Sequence, residues 1–60
     1  MMVMFRAYRD EDALLVSEDG VTLAVPTSLL QAAGLLSLRT GQRLILTLDD
    51  HGSAVAIRLP

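Results

Sequence analysis

Sixty residues with a net charge of −2, one histidine and no cysteine bound the chemistry of this chain before any pattern is read. A chain so short makes one domain, residues 1–60, and buries only roughly 60% of the surface its unfolded form exposes, so its margin of stability is thin. The missing cysteines exclude a disulfide framework or a thiolate zinc site as extra support, and the acidic balance argues against broad attraction to phosphate backbones.

What remains is hydrophobic packing, and apolar residues make up 52% of the chain, a high share for a domain in which surface outweighs interior. Part of that apolar surface is expected to meet a protein partner or a second copy of the chain. The five basic residues are all arginine and are scattered. The start, Met1-Met2-Val3-Met4-Phe5, is apolar but far too short to span a bilayer before Arg6 intervenes, and it lacks the basic flank and cleavage site of a signal peptide. A cytoplasmic protein with no membrane association is expected.

In chain order, residues 2–8 (MVMFRAY) read as a first strand. Val3, Phe5 and Ala7 fall on one face and Arg6 and Tyr8 on the other. Arg9-Asp10-Glu11-Asp12 is a charged turn, residues 13–17 (ALLVS) a second strand, and Glu18-Asp19-Gly20 a turn whose glycine tolerates positive φ. Residues 21–25 (VTLAV) alternate as a third strand, with Val21, Leu23 and Val25 inward. Pro26 ends it, because proline cannot donate to a ladder. Thr27 or Ser28 then caps a brief helical turn over residues 29–33, which Gly34 terminates. Residues 35–40 form a loop and residues 42–48 a fourth strand with Leu44, Leu46 and Leu48 alternating. Asp49-Asp50-His51-Gly52 makes a turn, and residues 54–59 a last strand with Val55, Ile57 and Leu59 on one face. Five short strands with one long break predict an all-β domain: a five-stranded OB-fold Greek-key barrel with a short helical turn between strands 3 and 4. An open meander with exposed edges is the alternative.

The stretch from Ser28 to Leu44 resembles the second half of a bacterial cold-shock domain. Ser28, Gln31, Gly34, Ser37-Leu38, Gly41-Gln42, Arg43 and Leu44 match that family's spacing without a gap, and Glu18-Asp19-Gly20, Gly52, Ala54 and Ile57 extend the match over nearly the whole chain. The resemblance implies an OB-type barrel that binds single-stranded RNA or DNA by stacking bases on aromatic side chains. Those rings are mostly absent. The first-strand pattern Lys-Trp-Phe-Asn reads Arg6-Ala7-Tyr8-Arg9, the second-strand aromatic motif is reduced to Asp12-Ala13-Leu14, and the third reads Leu23-Ala24-Val25-Pro26-Thr27. Each stacked base contributes about 1–3 kcal/mol, so weak or no binding of single-stranded nucleic acid is expected.

Two candidate surfaces follow from this comparison. Arg6, Tyr8 and Arg9 are the remnant of a nucleic-acid site, against the simpler reading that Tyr8 packs at a strand edge while the arginines solubilise it. Ala7, Leu14, Ala24 and Thr27 stand where the resemblance places stacking rings, and they are expected to form a smooth face suited to protein contact or dimerisation. A second resemblance, to the AbrB/MazE swapped-hairpin transcription regulators and antitoxins, rests on Pro26, Leu30, Ala32, Gly34 and Leu35. It implies duplex-DNA binding by an interleaved dimer, but needs extra residues before Gly41 and gives residues 1–17 no role.

No enzyme is expected. Ser28 has neither a general base nor an orienting group near it in sequence. Gly34 and Gly41 precede no full helix or lysine and make no phosphate loop. Asp49-Asp50-His51 holds metal-ligand residue types, yet an Asp-rich turn in solvent accounts for it, and no metal or cofactor is expected.

Overall fold

The computed structural model describes residues 1–35 and 37–60. Leu36, part of the expected loop, lies outside the described residues. The elements run β1 (Met2–Arg9), β2 (Asp12–Ser17), β3 (Thr22–Pro26), α1 (Thr27–Ala32), β4 (Arg43–Leu48) and β5 (Ala54–Arg58). The strands form one antiparallel sheet in the order β3-β2-β1-β4-β5. β1 is therefore central, β3 and β5 are the edges, so the sheet is not closed into the expected barrel, and the link from β3 to β4 crosses from one side of the sheet to the other. No helix among the described residues is long and apolar enough to cross a membrane.

Alternation selects the inner face. Ala13, Leu15 and Ser17 of β2 are buried while Asp12, Leu14 and Val16 between them are half-buried on the opposite side. Val3 and Phe5 of β1, Val25 of β3, Leu44 and Leu46 of β4 and Ile57 of β5 complete the inner surface. Leu30 of α1 is fully buried against it.

The helix has six residues. Nucleation makes so short a segment unstable alone, so burial of Leu30 is what holds it. Its C-terminus closes as a Schellman motif: the Gly34 N–H donates to the Gln31 carbonyl at 3.0 Å and the Leu35 N–H to the Leu30 carbonyl at 2.9 Å. Gly34 sits at φ 76°, a left-handed conformation in which a side chain is strained. The expected terminator is in place.

The start of the helix departs from expectation. Pro26 is the N-cap residue, and neither Thr27 nor Ser28 makes a side-chain capping bond. Thr27 instead enters the first turn with its N–H donating to the Glu11 carbonyl at 2.9 Å, which ties α1 to the β1–β2 turn.

Two irregularities change which residues face the core. In β1, Phe5 pairs with Leu15 and Ala7 with Leu14, leaving Arg6 as the extra residue of a bulge. A one-residue slip inverts the faces beyond it, so Ala7 is exposed on the outer face and Tyr8 turns to the side of Phe5, the reverse of the simple alternation. The bulge is held from β4's side: the Thr40 hydroxyl donates to the Arg6 carbonyl at 2.7 Å and the Gly41 N–H to the Phe5 carbonyl at 2.7 Å. Between β4 and β5 the register shifts at Thr47/Leu48, so Leu48 faces Ala54 and skips Val55. Val55 is consequently 51% exposed and Ala54 packs against the core in its place. Val21 and Leu59, both expected inward, lie beyond the strand ends and are exposed.

Candidate interaction face

On the outer face, residues directly opposite one another across strands point the same way. Ala7 of β1 faces Leu14 of β2, and Leu14 faces Ala24 of β3, so three of the four residues expected to form a contact face stand in one row across three strands. The fourth, Thr27, lies outside the sheet at the start of α1 and does not join them.

The next row along the strands continues the same chemistry. Met4 faces Val16 on one side and Arg43 on the other, and Met2 faces Ile45. Met4 is 42% exposed, while Met2, Leu14, Val16 and Ile45 are half-buried by their neighbours. These apolar side chains cover the middle of a sheet face. The sequence signal for this was the apolar residue at alternate positions opposite the core set, as in Met2 and Met4 beside Val3 and Phe5. Reading only the inward set missed it.

A depression of about 290 Å3 opens on this face, with Met2, Met4 and Val16 among its lining residues. Arg43 and Glu18 also line it. The Met4–Arg43 pairing puts Arg43 on the β4 side, and the Val3–Ser17 pairing, carried one residue further, puts Glu18 on the β2 side. The depression thus has one basic and one acidic wall.

Two of the three residues of the expected nucleic-acid remnant, Tyr8 and Arg9, lie on opposite faces of β1. Arg9, opposite Asp12, lies on the outer face, whereas Tyr8, opposite Ala13, lies on the inner side at the end of the sheet. Its ring packs against Phe5, with centroids 4.9 Å apart and planes inclined at 59°. Tyr8 is therefore not displayed between the two arginines. Asp10, Glu11 and Asp12 line a hollow with Thr27, Ser28 and Gln31 at the same end of the molecule, and their carboxylates oppose an approaching phosphate.

Asp49 has a local structural task. Its Oδ1 accepts hydrogen bonds from the His51 and Ser53 N–H groups, both at 2.9 Å, and so closes the β4–β5 turn.

No family model, curated protein or solved structure matches the chain.

Proposed function

We propose that this chain is a cold-shock-like OB-fold binding module whose outer face contacts protein and has little or no affinity for single-stranded nucleic acid. The observation that carries this reading is the cross-strand row Ala7–Leu14–Ala24, continuous with Met4 and Val16: a broad aliphatic surface where a base-stacking protein would display rings. The fold assignment is supported by the strand order, with β1 central and the β3-to-β4 connection crossing the sheet, and by α1, which packs on both edge strands β3 and β5. A swapped-hairpin regulator, the alternative on sequence, leaves no task for β1, the strand on which this sheet is centred.

Titration of a fluorescent oligothymidine at low salt tests the reading, with light scattering on the same sample. The expected result is no binding at micromolar protein. Micromolar binding that weakens steeply with salt would replace it with a nucleic-acid function.

A further inference from the structure

The outer face carries its own complement. We propose that it is covered by a second copy of the chain, related by a two-fold axis lying over Met2 and Met4, so that Arg43 of each copy lies over Glu18 of the other. The proposal rests on the reading that this face contacts protein, and it names the partner.

A two-fold interface is isologous, so the same patch must suit itself. A patch of one charge sign repels its copy. Here the walls of the depression differ in sign, Arg43 on the β4 side and Glu18 on the β2 side, and the floor between them is uncharged Met2, Met4 and Val16. A two-fold axis lying between the two facing sheets, over the floor, sets each copy's basic wall opposite the other's acidic wall, so opposite charges meet twice. Met4, 42% exposed within that floor, is the side chain that meets its counterpart across the axis. Methionine's unbranched, polarizable side chain suits such a fit.

A standard interface takes about 800 Å2 from each partner, roughly one fifth of the 4119 Å2 surface of this chain. Sheets packed face to face sit about 10 Å apart, a gap that an arginine and a glutamate reaching from opposite sides can bridge at the rim.

Sedimentation equilibrium on the full chain and two single variants, Arg43→Glu and Glu18→Arg, tests this. Both positions are exposed, and circular dichroism of each variant is the check that it folds. The unaltered chain is expected to be dimeric at about 100 µM and low salt, and each variant alone to dimerise about tenfold or more weakly, because like charges then face each other twice. Mixing the two variants in equal amounts is expected to restore dimer, since one copy then presents two acidic walls and the other two basic ones. A chain monomeric at about 100 µM, a dimer indifferent to Arg43→Glu, or a mixture no tighter than its components would each overturn the proposal. Those results leave the protein-contact reading standing if oligothymidine still does not bind. Salt-sensitive oligothymidine binding would instead remove that reading itself.

Discussion

The rings of Phe5 and Tyr8 lie in contact although the two residues are three apart in one strand. In a regular strand they would point to opposite faces; the bulge at Arg6 brings them to the same one. Tyr8 is thereby a lid on one end of the core. Tyr8→Ala is expected to lower stability by about 1 kcal/mol through the lost aromatic pair, while Tyr8→Phe stays close to the parent in urea denaturation. If the alanine variant lost no stability but altered oligonucleotide binding, the ring's task would lie outside the core.

Thr27 Oγ1 is buried and has no hydrogen-bond partner among the described residues. An unpaired buried hydroxyl is destabilising, so replacing it with a methyl group of similar shape is expected to help. Thr27→Val should raise stability by about 1 kcal/mol in chemical denaturation. A comparable loss would show that the hydroxyl caps α1 after all.

α1 depends on one side chain and one glycine. Leu30→Ala removes the helix's only buried residue and is expected to cost about 3 kcal/mol, a large part of the stability available to so small a domain. Gly34→Ala meets no atom within 4 Å of the added Cβ, so its effect is conformational. The positive φ predicts a loss of about 1 kcal/mol, less for Asn, measurable as a shift in the denaturation midpoint.

The Asp49 carboxylate orders the β4–β5 turn through two backbone N–H groups. Asp49→Ala is expected to cost about 1 kcal/mol. Asp49→Asn retains an acceptor oxygen and should recover most of it, an ordering that thermal melts of the three proteins can check.

The strands were legible because each is a short apolar run bounded by strong punctuation: Asp10-Glu11 after β1, Asp19-Gly20 after β2, Pro26 at the end of β3, Asp49 to Gly52 after β4. Their faces were legible only where the pleat is regular. Leu23 and Val25 point inward as alternation predicts, but Ala7 and Val55 turn outward and Tyr8 inward against it, because each lies at or beyond an extra residue in its strand. A bulge is a property of two strands paired together, and a single strand's alternation holds no record of it. The candidate face was readable in part for the same reason. Leu14 and Ala24 were found from the rings they replace, whereas Ile45 joins the face only once β4 is laid beside β1.

That seam also governs how the molecule assembles. β1, β2 and β3 follow one another through tight turns and can pair as soon as they are made, and so can β4 and β5. Met2 with Ile45, Val3 with Leu44 and Met4 with Arg43 are the pairs that bridge the two halves, each across about 40 residues of chain. Closing so long a loop precedes any reward from the contacts it allows. Refolding should therefore be timed by the β1–β4 seam: substitutions at Val3 and Leu44 slow the approach to the native state, and substitutions within the β2–β3 hairpin chiefly hasten its loss.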